Sequence, residues 1–243
     1  LGWGREGETW SFMEAVRSLG GKDWFNLGDG DLALHIIRGV ALGAGETLSA
    51  VTARFASAWQ LALAVLPMTD DAVATWVESD EGRLPFQRYF VERQCQPKVK
   101  SVSFDGAATA RPAPGVIEAI RSADAVLIAP SNPWLSVDPI LSIPGIRDAL
   151  VGCVGPVIAV SPLVEGKAVK GPTAKLMGEL GLAISNDAIA DHYGDILNGL
   201  IVHNDDPASD RVAVARTDTM MRNPTDRERV ARAALEFAKK LRK

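Results

Sequence analysis

The sequence is poor in the features that mark several large classes of protein. It has two cysteines, Cys95 and Cys153, far apart and without metal or redox spacing, so they are read as free thiols in a reducing compartment. Its three histidines, His35, His192 and His203, show no metalloprotease spacing, and no Gly-x-Ser-x-Gly elbow occurs. Acyl transfer through a protein nucleophile therefore lacks its usual parts. No apolar run approaches the roughly 20 residues of a membrane helix. The first ten residues carry glycines and charges rather than a secretory core, so a cytoplasmic protein is expected. Basic charge is also scarce, with 26 Lys and Arg against 30 Asp and Glu and a net charge of −4. Basic residues cluster only at the last few positions, which leaves no sequence-independent grip on nucleic acid.

What is present belongs to a globular chain: of 243 residues, 47% are hydrophobic and 23% charged. Apolar spacing predicts helices over 8–19, from Asp29 onward with Leu32, Ile36 and Val40 on one side, and over 47–58. Leu61–Leu66 reads as a strand, and 74–77 with 86–91 reads as a hairpin around Gly82. Ser101–Phe104, 125–129, Val157–Val160, 200–203 and 212–215 are further strand candidates, alternating with helices over 114–121, 139–150 and 172–180. A final helix starts at Asn223-Pro224. Short apolar strands alternating with helices predict an α/β fold: a Rossmann-like, mostly parallel sheet flanked by helices, as one domain over 1–243. A smaller insertion or lid is expected at about 40–100.

In such sheets ligands bind beyond the carboxyl ends of the strands. The strand over 125–129 runs into Pro130-Ser131-Asn132-Pro133-Trp134-Leu135-Ser136, whose hydroxyls and amide suit phosphate oxygens or a base edge. A proline-stiffened turn would use the same residues. The strand over 157–160 runs into Ser161-Pro162 and then Gly166-Lys167-Ala168-Val169-Lys170-Gly171, with Lys175 beyond. Lysines among glycines at a helix entrance fit a diphosphate; a solvated basic loop is the plainer alternative. Neither a Walker A motif nor a Gly-x-Gly-x-x-Gly fingerprint is present. Asn26-Leu27-Gly28-Asp29-Gly30-Asp31, followed by His35 and Arg38, offers two acids for a ligand or for helix capping. Asp70-Asp71 reads as a turn. Lacking a nucleophile, the chain fits metal-assisted transfer at phosphorus better than acyl transfer.

Seven segments, in order, resemble the 2-phospho-L-lactate transferase family of coenzyme F420 synthesis. They are GWGREGETW (2–10), WFNLGDGDLALHIIR (24–38), LPMTDD (66–71), FQRYFV (86–91), APSNPWLSVDPIL (129–141), VSPLVEGKAVKGPTAK (160–175) and HYGDIL (192–197). The resemblance implies transfer of a phospholactyl or enolpyruvyl-phosphate group from a guanosine-diphosphate-linked donor to the deazaflavin Fo. GMP would leave, Mg²⁺ would assist, and the protein would be a homodimer. By position, Ser131, Asn132, Ser136, Ser161, Gly166, Lys167, Lys170 and Gly171 would hold the nucleotide. Asn26, Asp29, Asp31, Met68, Thr69 and Gln87 would face the acceptor. The family's opening strand, glycine-rich turn and metal-binding aspartates have no counterpart here, so an N-terminally shortened chain is expected, with metal ligands outside it. A related non-catalytic group that binds nucleotide-sugars is the alternative; the acceptor-side segments argue for the transferase.

Overall fold

The computed structural model describes residues 6–168 and 171–242. Three helices come first: α1 (Ser11–Ser18), α2 (Asp29–Gly43) and α3 (Leu48–Ala58). Their starts are tied to one another by carboxylates rather than by a deep core. Asp29 takes hydrogen bonds from the Ser11 and Phe12 amides at 3.1 and 3.0 Å and from the Thr9 hydroxyl at 2.6 Å, so it caps α1 instead of its own helix. Glu8 returns the favour to α2 by accepting from the Gly30 amide at 3.0 Å. Gly28 makes this exchange possible, because a Cβ there would lie 1.9 Å from the Glu8 carboxylate. Asp70 fixes α3 through the Ser49 amide and hydroxyl at 2.6 and 2.8 Å.

The apolar stripe expected on α2 is not its packed side. Ile36 and Val40 are 56% and 69% exposed, whereas Ala41 is buried and Leu34 and Arg38 face α3. Leu61–Leu66 forms no strand; it runs over the surface as irregular chain, mostly exposed. An apolar run alone does not make a strand when no neighbouring strand offers its hydrogen bonds.

An antiparallel sheet of order β2-β1-β3 follows, from β1 (Ala74–Ser79), β2 (Gly82–Pro85) and β3 (Val99–Asp105). The hairpin around Gly82 is real, but its second arm is 82–85. Residues 86–92 instead wind into a helical turn that buries Tyr89 and stacks Phe86 on Phe90, with ring centroids 5.3 Å apart. Aromatics four residues apart share a helical face, which a strand reading overlooks.

The remainder is the parallel half. Helix α4 (Val116–Ser122) leads into β4 (Val126–Ile128), and α5 (Asp138–Leu141) and α6 (Ile146–Val151) lead to β5 (Val157–Val160). A small hairpin of β6 (Leu163–Val164) and β7 (Lys167–Ala168) precedes α7 (Thr173–Glu179) and α8 (Asn186–Tyr193). Then come β8 (Gly199–His203), β9 (Ala213–Thr217) and α9 (Pro224–Leu241). The sheet order is β4-β5-β8-β9, every pair parallel. Side chains alternate across it. Val157, Ala159, Leu200 and Val202 face a core shared with α6, α7, α8 and the antiparallel sheet. Ile158, Val160 and Ile201 face Val230, Ala234, Phe237 and Ala238 of α9. Burial on both faces explains why these strands read as unbroken apolar runs. The α/β fold with a mostly parallel, helix-flanked sheet is as the sequence predicts. Helix α8, capped by the Ser185 hydroxyl on the Ala188 amide, had no apolar signal strong enough to be read. Among the described residues no helix is long and apolar enough to cross a membrane.

Candidate functional site

A cleft of about 290 Å³ opens at the carboxyl rim of the parallel sheet. Pro130, Ser131, Asn132 and Ser136 enter it from the end of β4, and Ser161 and Pro162 from the end of β5. Gly171, Pro172 and Thr173 close it at the start of α7; Thr219 and Met221 do so beyond β9, and Phe90 from the helical turn. Strand ends gather loops from separate stretches of chain, which is why residues 90 to 221 meet here.

Asn132 is the sharpest feature. Its Oδ1 accepts from the Leu135 amide at 3.0 Å, and its carbonyl accepts from the Ser136 amide at 2.9 Å, so it starts the helical turn over 133–137. The other half of the amide, Nδ2, is buried without a hydrogen-bond partner among the described residues. An unpaired buried donor is costly, and a ligand oxygen would satisfy it.

Ser161 has the opposite character. Asn186 donates through Nδ2 to the Pro207 carbonyl at 2.9 Å, an acceptor that fixes which way its amide points. Its Oδ1 therefore faces Ser161, and the Ser161 hydroxyl donates to it at 2.7 Å. The Leu163 amide fills one lone pair of that hydroxyl at 3.1 Å. A single lone pair remains, so Ser161 can accept from a ligand but cannot donate to a phosphate.

The lysine loop divides. Glu165 and Gly166, at φ 52° and 66°, form the two-residue turn between β6 and β7, where both positions require the left-handed region. The Gly166 amide donates to Asp206 at 3.3 Å. Gly166 and Lys167 are exposed and outside the cleft lining, whereas Gly171 is within it. Lys170 lies outside the described residues. Lys175 is engaged elsewhere, by Glu179 at 2.6 Å and the Pro97 carbonyl at 2.8 Å.

The residues expected to face the acceptor are dispersed over the helical half and its border. Asn26 is exposed and accepts from Arg17 at 2.8 Å; Asp29 is the α1 cap; Asp31 is half-buried in the first turn of α2. Its thioether packed against the main core, Met68 is half-buried. Thr69 is buried and donates to the Arg111 carbonyl at 2.6 Å. Gln87 is exposed, and three residues later Phe90 reaches the cleft. His35 and Arg38 do meet, at 2.6 Å. Sequence reasoning missed Phe90, Thr173, Thr219 and Met221. The last two follow a parallel strand, so the carboxyl-end rule pointed to them.

Among the described residues no charged side chain lines the cleft, and no cluster of three or more His, Cys, Asp or Glu is placed to hold a metal. Beneath the Ser131–Ser136 turn, His192 pairs with Asp138 at 2.8 Å and lies 4.7 Å from the Trp134 ring. Burial, reinforced by Asp138, pushes the neighbouring Tyr193 phenol upward, so it stays protonated.

This is a Rossmann-like α/β protein with a cleft at the sheet's carboxyl edge. The profile of the family described as 2-phospho-L-lactate transferase CofD matches residues 8–240, and the chain belongs to that family of transferases. It is 39% identical to a phosphoenolpyruvate transferase of Streptomyces griseus, over 99% of this chain and 80% of that protein. A phosphoenolpyruvate transferase of Nocardia farcinica is 39% identical over 98% of this chain and 76% of its own length. Among solved structures, a UPF0052-family protein of Bacillus halodurans superposes with a TM-score of 0.61 at 21% identity, covering 86% of this chain and 73% of that one, which shows the shared fold.

Proposed function

We propose that this chain transfers a three-carbon acid phosphate from a guanosine-diphosphate-linked donor to the deazaflavin Fo, in coenzyme F420 biosynthesis. The names of the Streptomyces and Nocardia relatives favour an enolpyruvyl over a lactyl group. The observation that carries the reading is the unpaired Asn132 nitrogen, buried beside Ser131 and Ser136 where a diphosphate would meet a strand end. In the reaction the terminal ribityl hydroxyl of Fo attacks the distal phosphorus. A new P–O bond forms, the bond to the bridging oxygen breaks, and GMP departs with that oxygen. The hydroxyl proton passes to the departing phosphate or to water. The chain's part is to orient the diphosphate through neutral donors and to exclude water from it. Phe90 joins the cleft to the segment bearing Gln87, and the reading puts the acceptor side there. The described lining offers no carboxylate for the expected Mg²⁺.

The test incubates the protein with Mg²⁺, Fo and each candidate donor, then seeks the phosphodiester by mass. Binding of GDP without product from any donor would refute the transfer. Asn132→Asp keeps the Oδ1 cap on Leu135 and replaces the free donor with negative charge. We expect GDP affinity to fall at least about tenfold, more than one neutral hydrogen bond is worth. Unchanged affinity would remove Asn132 from the site.

A further inference from the structure

The stretch following β9 has a built form that the nucleotide reading leaves unused. Residues 218–222 alternate. Thr219 and Met221 face the cleft, while Asp218, Met220 and Arg222 face a separate hollow beside Val164 and His203. Such alternation is that of an extended ribbon, and the ribbon is clamped from both sides. On one side Arg229 of α9 donates to the carbonyls of Asp218 and Met220, at 3.1 and 2.9 Å. On the other, the Thr219 amide donates to His203 Nδ1 at 3.2 Å, with the Thr219 hydroxyl 3.3 Å from the same nitrogen. An amide can only donate, so Nδ1 is an acceptor, and the hydroxyl beside it, receiving no proton from that nitrogen, has both lone pairs free of it.

We infer that Thr219 and Met221 form the base-reading wall of the cleft, with His203 as the residue that positions them. This rests on the nucleotide reading above and gives the bound nucleotide a direction. Phosphate oxygens only accept, so the diphosphate belongs at the β4 end, where the Asn132 nitrogen and two serine hydroxyls stand. At the β5 end Ser161 only accepts, which matches a donating ribose hydroxyl. A base has a flat apolar face and an edge of donors and acceptors, and the β9 end supplies a thioether and a hydroxyl. The order phosphate, ribose, base thus follows the order of strand ends across three spacings, or about 14 Å at roughly 4.8 Å each.

The experiment measures affinity for GDP, ADP, UDP and CDP, which share a ribose diphosphate and differ only in the base. The wild-type protein is expected to rank them. Thr219→Val, nearly isosteric, and Met221→Ala should each compress that ranking roughly five- to tenfold, chiefly by loss of the preferred nucleotide. Asn132→Asp should lower all four in proportion. His203→Phe should lose discrimination, whereas His203→Asn, which keeps an acceptor near the Nδ1 position, should retain it. Equal affinity of the wild-type protein for all four, or variants at Thr219 and Met221 that weaken all four alike or none, would overturn the inference while leaving the cleft a diphosphate site. A wild-type protein that binds none of the four would instead remove the nucleotide reading itself.

Discussion

The helical half and the parallel half of this protein bury their apolar residues to very different degrees. In the parallel half, all four residues of β5 and four of the five in β8 are buried, and helices close over both faces. In α1 to α3, Met13, Ala41 and Val51 are the buried residues, while Phe12, Ile36, Ile37 and Val40 are substantially exposed. The helical half relies on reciprocal carboxylate caps, which contribute on the order of 1 kcal/mol each. Buried aliphatic side chains contribute about 1.5–3 kcal/mol each. The cleft lies on the better-packed half, as a site that must hold polar groups in fixed positions requires.

The largest break of this contrast is expected from Ile201→Ala in β8, fully buried against α9. It should cost about 2–5 kcal/mol in urea unfolding. Ile36→Ala on α2 should stay within about 0.5 kcal/mol, and a similar loss at both sites would erase the distinction. A middle effect is expected from Gly28→Ala, which pushes Glu8 off the α2 cap and should cost about 1 kcal/mol. Hydrogen exchange should then rise at α1 and α2 while β5 and β8 stay protected; exchange spread over both halves would show that they open together.

The smallest effect concerns acid. The Thr9 hydroxyl and then the Phe12 amide hold Asp29 below the usual carboxylate range, and Arg229 does the same for Asp226. A carboxylate depressed in the folded state stabilises above its unfolded value and loses that contribution as pH falls through the folded value. Stability should therefore be level near neutrality and decline below about pH 4. Asp29→Asn and Asp226→Asn should each flatten the decline seen in melts across pH, the first without altering nucleotide affinity. An acid slope unchanged in both would sever it from these caps.

Much of the better-packed half was legible in the sequence. Strand β5 was predicted residue for residue, because burial on both faces leaves an unbroken apolar run bounded by Pro156 and Pro162. Ser131, Asn132, Ser136, Ser161 and Gly171 do meet in one cleft, as the strand-end rule implies. The helical half was read less well. The stripe of α2 and the run 61–66 carry apolar signal without the burial that would give it meaning. The sequence also hid what hydrogen bonds decide: that Asp29 serves the preceding helix, that Gly166 is held by Asp206, and that the Ser161 proton is directed inward. Such pairings join residues 17 to 40 positions apart, beyond the reach of local spacing.

The inward proton of Ser161 has a consequence for anyone designing a nucleotide analogue. In the placement proposed above, with a ribose hydroxyl beside Ser161, exchanging that hydroxyl for fluorine or a carbonyl would set lone pair against lone pair, because the Pro207 carbonyl, acting through Asn186, keeps the serine proton turned inward. An amino substituent at the same place would be welcomed. A chemist could thus sort inhibitors of this cleft by the sign of one substituent, with the rule written by a backbone oxygen that never touches the drug.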